Sequence, residues 1–381
     1  MSKKILNRYV WIVLFVILFF GLSGCGAKSP IRIGLAAQLT GKQADLGIHL
    51  RNGVEMALEE INAAGGIYGR HLELIVEDDF GTPQGAIDAE NNLIDADVVA
   101  VIGHITSDQT ITGYQVANSN GVLMFSATAA ASEMTGINDM FFRTASSTDS
   151  MGRSFADYVF SDRKIKSMAI IFDEDNKSFA ESWANSFSNA FKKLGGKIVS
   201  TQKIYSSQYP DYSQPVQNMK TSLAEGVLLI ASPYDAGLIT QEISLKNWTP
   251  ELFTTSWAQG DMLFQTGGNT IESLEIIVFF NVNDQSPKLE EFKTDYQELY
   301  GTTPIFTAMQ GYETMQLLAR ALEKTNGSAE NLGSELIGIQ DYIGLTGPVK
   351  LDAYGDVLRN LAIQKVIDGE FVTIRNLEMP Q

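Results

Sequence analysis

Short apolar runs alternate along the chain with segments in which apolar residues recur at helical spacing, and this alternation limits the possible folds more than any other feature. The clearest run, VVAVI at 98–102, ends at Gly103 and is typical of a fully buried strand. Thr106 and Gln109 follow with the spacing of a capping box, which predicts the start of a helix. A buried strand that turns directly into a helix predicts a parallel sheet covered by helices.

The same order of elements occurs twice. Strand and helix patterns alternate through residues 31–144 and start again over residues 167–246, while residues 347–374 have the alternation and turns of a few antiparallel strands. A chain of 381 residues has room for two domains of about 150 residues each. We therefore predict an α/β protein with two units of similar order.

The first residues have the pattern of a secretory signal. Three basic residues precede an apolar run at 9–20, which is shorter than the roughly 20 residues of a membrane-spanning helix. The sequence LSGC at 22–25 resembles the bacterial lipobox, in which cleavage leaves the cysteine carrying a lipid, and Cys25 is the only cysteine of the chain. We predict a signal peptide at 1–24, lipidation of Cys25 and a short lipid tether at 25–30.

The charge of the chain limits its partners. Its formal net charge is −17 at pH 7, which argues against nucleic acid and anionic lipid headgroups as partners. The lipid on Cys25 is therefore the only membrane attachment that we predict.

Residues with catalytic or metal-binding chemistry are scattered. His49, His71 and His104 fall in different elements without the spacing of metal ligands, and no catalytic motif for a nucleophile or a dinucleotide occurs. His104 is either a general base or, as we favour, a histidine hydrogen-bonded into its loop. Adjacent residues at a strand end point in opposite directions, so we interpret Asp78 and Asp79 as a capped, solvated turn and not as a metal or acid/base pair. We predict no catalytic residue, metal or cofactor.

Several short stretches, taken together and in order, resemble one known family. They are LTG at 39–41 with Gly47, INAAGGIYGR at 61–70, VIGH at 101–104, SAT at 126–128 running to EMT at 133–135, and GPVKLDAYGD at 347–356. Between residue 31 and about residue 374 the chain resembles the leucine/isoleucine/valine-binding family, type I periplasmic binding proteins that serve ABC importers.

This resemblance implies a two-lobed α/β fold with three crossings between the lobes, each lobe being a parallel-rich sheet flanked by helices. The implied N-lobe contains residues 31–144 and 281–356. The implied C-lobe contains residues 145–280 and 357–381.

The resemblance also implies which N-lobe residues contact a ligand. The family serine that holds the ligand carboxylate corresponds to Ser107. The start of a helix favours an anion at this position. The alternative is that Ser107 is a simple N-cap serine. A backbone contact corresponds to Thr128, and the family threonine that contacts carboxylate and ammonium is replaced by Ala130. Leu46 and Thr106 complete the contacts that we expect from this lobe.

On the C-lobe the resemblance implies a different set of contacts. Phe179 corresponds to an aromatic residue that covers the ligand, with core packing as the alternative, and Tyr234 lies near a second aromatic position. The family acid that pairs with the ligand ammonium falls beside Trp257, where this chain has no carboxylate, and Asp235 and Asp261 are the nearest acids. An unpaired buried ammonium costs several kcal/mol. We therefore expect an aromatic, amide or carboxylate compound that the three aromatic side chains could stack on, and not an ordinary amino acid.

These expectations combine into one hypothesis about function. The chain is interpreted as an extracytoplasmic solute-binding lipoprotein, in the periplasm or on the cell surface, that closes about a hinge around a small solute and delivers it to an ABC permease and ATPase complex. The alternatives are a ligand-sensing receptor of the same fold and a lipid-anchored enzyme.

Overall fold

A computed structural model of the chain describes residues 29–41, 43–208, 211–279 and 286–377. The predicted signal peptide, Cys25 and most of the tether lie outside these residues. Within the described ranges, no helix has both the length and the apolar character needed to cross a membrane.

Residues near the start of the chain form a sheet of five parallel strands. Its strands are β1 (Ile31–Ala37), β2 (Leu72–Asp78), β3 (Ala100–Gly103), β4 (Leu123–Ser126) and β5 (Phe141–Arg143). They pair in the order β2-β1-β3-β4-β5. Parallel neighbours need crossover connections, which contain α1 (Ala44–Ala63), α2 (Pro83–Asp95) and α3 (Ser107–Ser119). The strand predicted at 98–102 is confirmed as β3, and all four of its residues are buried.

The middle of the chain contributes most of a second sheet. Its elements are α4 (Thr148–Asp157), β6 (Ser167–Asp173), α5 (Lys177–Lys193), β7 (Lys197–Ile204), α6 (Ser213–Thr221), β8 (Gly226–Ile230), α7 (Pro233–Leu245), β9 (Glu251–Thr255), α8 (Asp261–Gly267) and β10 (Glu275–Val278). The sequence pattern did not predict α4, β9 or α8, which are short and have few apolar residues at regular spacing.

The last part of the chain adds helices beside the first sheet and two strands to the second sheet. Its elements are α9 (Pro287–Tyr300), α10 (Phe306–Lys324), α11 (Leu332–Ile337), β11 (Ile343–Gly344), β12 (Gly347–Pro348), β13 (Lys350–Leu351), β14 (Val357–Leu358), β15 (Leu361–Ile367) and β16 (Glu370–Leu377). Helix α10 packs against α1, where Gly53 permits a close approach because a Cβ atom there would lie 2.0 Å from the Ala308 carbonyl oxygen. The final two strands instead extend the second sheet.

The second sheet has seven strands in the order β16-β15-β10-β9-β8-β6-β7. The pairs β10–β15 and β15–β16 are antiparallel and the others are parallel. We call the first sheet with α1–α3, α9–α11 and the short strands β11–β14 the first unit, and the second sheet with α4–α8 the second unit. The predicted α/β class with two parallel-rich sheets is confirmed, and the exact lobe boundaries given above remain a prediction.

The predicted cap of α3 is present, but only in part. Thr106 is the N-cap residue and its hydroxyl oxygen accepts a hydrogen bond from the Gln109 backbone N–H at 3.5 Å. The Gln109 side chain does not return to Thr106, because its Nε2 donates to the Gly81 carbonyl oxygen at 3.1 Å. The second half of the predicted capping box is therefore wrong, and Gln109 instead joins α3 to the loop after β2.

Candidate functional site

A cavity is lined by residues from both units, and its empty space, together with its opening to solvent, is about 460 Å³. The first unit contributes the turns that follow β3 and β4, and the second contributes the segments that follow β6 and β9. In parallel sheets these are the carboxyl ends of the strands, where helix N-termini expose unpaired N–H groups and ligands bind.

The structure brings six of the eight predicted ligand-binding residues together around this cavity: Leu46, Ser107, Thr128, Ala130, Phe179 and Trp257. Thr106 does not line the cavity, because its side chain caps α3. Tyr234 does not line it either; it is half-buried in the first turn of α7, where its carbonyl oxygen accepts a hydrogen bond from the Thr266 hydroxyl at 3.1 Å. The structure therefore does not place Thr106 or Tyr234 among the residues that line the cavity.

Ser107 occupies the first position of α3 and is only 2% exposed. Its Oγ accepts hydrogen bonds from the backbone N–H groups of Ala130 and Ala131, both at 3.2 Å. The hydroxyl proton is therefore free to be donated to a molecule in the cavity, beside the positive end of the helix dipole. The alternative of a simple N-cap serine is wrong, because Thr106 holds the N-cap position.

The turn after β4 supplies one hydroxyl and one methyl group to the cavity. The Thr128 hydroxyl donates to the carbonyl oxygens of His104 and Ile105, at 3.0 and 2.7 Å, so it can only accept a hydrogen bond from a ligand. Ala130 offers only its methyl group at the cavity. This side of the cavity therefore presents a donor at Ser107 and an acceptor at Thr128.

Aromatic side chains form another part of the cavity lining. Phe179 and Trp257 meet edge to face, with ring centroids 5.5 Å apart, and Phe279 and Phe306 meet in the same way at 6.3 Å. All four rings line the cavity. Phe179 is also nearly buried, so both of its predicted roles, ligand cover and core packing, are compatible with its position. Such a wall suits an apolar or planar ligand body.

Among the residues that the structure describes, no charged side chain lines the cavity. Asp235 is buried elsewhere, where its carboxylate accepts hydrogen bonds from the hydroxyls of Tyr212 and Ser232 at 2.5 and 2.6 Å. Asp261 is exposed at the start of α8. Neither of the acids nearest in sequence to Trp257 therefore faces the cavity, which leaves a ligand ammonium without a counter-charge.

Three polar residues that the sequence did not indicate also line the cavity. They are Asn176 before α5, and Thr307 and Gln310 in the first two turns of α10. Each has at least one buried side-chain oxygen or nitrogen without a hydrogen-bond partner. The only sequence signal is the spacing of three between Thr307 and Gln310, which places both on one face of a helix.

Hydrogen bonds join the two units beside the cavity. An Asp108 carboxylate oxygen accepts from the Ser178 backbone N–H at 3.1 Å, and the Trp257 indole N–H donates to the Gln43 side-chain oxygen at 3.0 Å. The two units are therefore in contact on either side of the cavity, as in a closed cleft.

A buried ion cluster supports the turn that carries Ser107. The fully buried His104 ring contacts Asp79 through Nδ1 at 2.6 Å and Glu90 through Nε2 at 3.2 Å. Burial lowers the pKa of His104, but hydrogen bonds and negative charge from the two carboxylates outweigh it and raise this pKa to about 9. His104 is therefore an imidazolium at neutral pH.

Two of the interpretations made for these residues can now be judged. The solvated turn predicted for Asp78 and Asp79 is wrong for Asp79, which is 1% exposed because it pairs with His104. Asp78 does cap the turn, since its side-chain oxygen accepts from the Phe80 backbone N–H at 2.9 Å. His104 is hydrogen-bonded, as favoured above, but to two acids and not to its own loop. In the described part of the chain, no group of three or more histidine, cysteine or acidic side chains could hold a metal ion.

Known proteins match almost the whole chain. The model of the family described as periplasmic binding protein matches residues 30–370. An amino acid binding protein of Pseudomonas aeruginosa is 27% identical over 365 residues, which cover 94% of this chain and 95% of that protein.

Solved structures have the same fold. A leucine binding protein, LivK, of Thermotoga maritima superposes with a TM-score of 0.85 at 20% identity, covering 91% of this chain and 99% of that one. A solute binding protein of an ABC transporter from R. palustris, solved in complex with benzoate, superposes with a TM-score of 0.83 at 18% identity, covering 92% and 97%. The family match over residues 30–370, together with this agreement in fold, shows that the chain belongs to the periplasmic binding protein family.

Proposed function

We propose that the chain is the extracytoplasmic solute-binding component of an ABC importer, which encloses one small organic solute in the cavity between its two units. The family consists of solute-binding proteins, and the R. palustris relative is described as part of an ABC transporter. The cavity at the carboxyl ends of the strands and the hydrogen bonds that join the units around it support this role.

The observation that carries our choice of ligand is that, within the described ranges of the chain, no charged side chain lines the cavity. A zwitterionic amino acid would bury its ammonium without a charged partner, which costs several kcal/mol. An acid without an ammonium fits better, because Ser107 and the N-terminus of α3 can hold its carboxylate. Its body would lie against Phe179 and Trp257. The P. aeruginosa and T. maritima relatives are named for amino acids, whereas the R. palustris relative was solved with benzoate.

Pairs of ligands that differ only in the amino group test this proposal. Leucine and 4-methylpentanoate have the same carbon skeleton, and phenylglycine and phenylacetate form an aromatic pair. We expect the acid of each pair to bind the purified protein more tightly in isothermal titration calorimetry. At about 100 times its Kd the acid should stabilise the fold by about 2.7 kcal/mol in thermal unfolding. A larger stabilisation by leucine than by 4-methylpentanoate would refute the choice of ligand.

We further propose that the signal peptide at 1–24 is removed and that a lipid on Cys25 anchors the protein outside the cytoplasmic membrane. A tether of six residues at 25–30 reaches roughly 20 Å at about 3.3–3.6 Å per residue. The folded part would therefore stay close to the bilayer, where a permease can collect the solute.

A further inference from the structure

One set of hydrogen-bonding groups in the cavity has no partner in the part of the chain that the structure describes. These atoms are Thr307 Oγ1, Gln310 Oε1, Gln310 Nε2 and Asn176 Oδ1, and all four are buried. The three residues are 0%, 1% and 4% exposed, and all of them line the cavity. Buried polar side chains are nearly always hydrogen-bonded, and leaving one unpaired is costly. Four such atoms around one cavity indicate that their partner is a bound molecule.

The position of Asn176 explains why its side-chain oxygen is free. Asn176 is the N-cap residue of α5, where an asparagine oxygen normally accepts from a backbone N–H of the first turn, yet it makes no cap hydrogen bond. The Ser178 N–H in that turn donates instead to Asp108 of the other unit, at 3.1 Å. When the units are in contact, Asp108 therefore supplies the acceptor and leaves Asn176 available to a ligand.

Thr307 and Gln310 are held in place by the packing of their helix. They lie three residues apart on α10 and so on the same face. Helix α10 packs closely on α1 at Gly53, which fixes the position of its first turns. These two side chains belong to the first unit and Asn176 belongs to the second, so a ligand group that reaches all three would bridge the units.

The chemistry of the free atoms restricts the ligand group. Gln310 Oε1 and Asn176 Oδ1 accept hydrogen bonds, Gln310 Nε2 donates them, and the Thr307 hydroxyl does either. A carboxylate only accepts, so it would leave both oxygens unpaired. An ammonium would bring a charge to a cavity whose described lining residues carry none. A primary carboxamide has two N–H donors and a carbonyl acceptor, and satisfies all three residues.

We propose that Asn176, Thr307 and Gln310 form an amide subsite, which recognises a primary carboxamide on the solute. This inference rests on the proposed function, because it places the carboxylate of the same solute at Ser107. The ligand class is therefore an acid amide: a carboxylate at one end, a short apolar or aromatic body, and a neutral carboxamide at the other end.

Matched ligands of three lengths test the subsite. The acid amides are succinamate, glutaramate and 4-carbamoylbenzoate. Each is compared with its dicarboxylate and with the acid in which an isopropyl group replaces the carboxamide: 4-methylpentanoate, 5-methylhexanoate and 4-isopropylbenzoate. Isothermal titration calorimetry on the purified protein gives each Kd. In at least one series we expect the amide to bind about tenfold more tightly than both of its analogues, which corresponds to 1.4 kcal/mol.

Variants of the two glutamines on α10 separate the subsite from the fold. Gln310→Met keeps the length of the side chain but removes its hydrogen bonds, and should abolish the preference for the amide while the isopropyl acid binds as well as before. Gln316→Met is the matched control, because Gln316 donates to Glu60 and does not line the cavity. It should leave the preference unchanged.

The outcomes distinguish the subsite from the proposed function. If the isopropyl acid or the dicarboxylate binds as tightly as the amide in every series, or if Gln310→Met keeps the preference, the amide subsite is refuted while solute binding stands. If none of the acids and amides binds, the proposed function fails together with the subsite.

Discussion

Raising the pH from 6.5 to about 9 should destabilise the folded protein through His104. In the folded state, contacts of 2.6 and 3.2 Å with Asp79 and Glu90 outweigh the effect of burial and raise the pKa of His104 from 6.5 to about 9. At 1.36 kcal/mol per pKa unit, this difference corresponds to about 3 kcal/mol of stability. Because the folded-state pKa is the higher one, the contribution is fully present below pH 6.5 and is lost as the pH rises through about 9.

Urea unfolding at several pH values between 6 and 9.5 measures this contribution. His104→Gln removes the titrating ring, so the difference in unfolding free energy between the wild-type protein and this variant should shrink by about 3 kcal/mol across the window. His71→Gln is the control, because His71 is exposed and has no place in the cluster. A difference between wild type and His104→Gln that stays constant over this pH range would refute the charged state assigned to His104.

The same titration should affect the ligand site. The His104 carbonyl oxygen accepts a hydrogen bond from the Thr128 hydroxyl, and its backbone N–H donates to the Thr110 hydroxyl at 3.2 Å. Deprotonation of the His104 imidazolium should therefore destabilise the turn that carries Ser107, in addition to the fold as a whole.

Three further substitutions test other parts of the structure. Ser107→Ala should weaken the binding of an acid ligand by about 1.5–3 kcal/mol in calorimetry, the range of a hydrogen bond to a charged group; unchanged affinity would remove Ser107 from the site. Asp108→Ala removes the contact with Ser178 and should weaken ligand binding by about 1 kcal/mol. It should also raise the radius of gyration of the ligand-bound protein in solution scattering, and a complex as compact as the wild type would contradict a role of Asp108 in closure. Cys25→Ser should move the protein from the membrane fraction to the soluble fraction of fractionated cells, and continued sedimentation with membranes would argue against a lipid on this residue.

Local periodicity was sufficient to predict the fold class. The apolar run at 98–102 ends at a glycine and precedes a helix cap at Thr106, which is typical of a buried strand followed by a helix. The alternation of strands with helices then predicted parallel sheets covered by helices. The pattern did not show that β15 and β16 return to the second sheet after α9–α11, because strand pairing across such a distance leaves no local signal; only the resemblance to a family implied this interleaving.

Buried charge was harder to predict than buried apolar surface. Adjacent strand residues point in opposite directions, so we expected Asp78 and Asp79 not to act as a pair. The same rule does not say which of the two side chains is buried. Burial of Asp79 depends on His104, which arrives from a different strand 25 residues later. A carboxylate far from its partner in sequence resembles any solvated acid at a strand end.

The amide subsite shows the same difficulty in its strongest form. Helix α10 begins at Phe306, so Gln310 lies in its second turn and Thr307 lies three residues before it on the same face. An asparagine before a helix would ordinarily cap it, yet Asp108 from the other unit takes that role and leaves Asn176 to the cavity. Ligand specificity in this chain therefore depends on the hydrogen-bonding capacity that remains unused after the two units meet. The unused side-chain atoms of Asn176, Thr307 and Gln310 include hydrogen-bond donors and acceptors but no charged group. They therefore select a neutral ligand group that can both donate and accept hydrogen bonds.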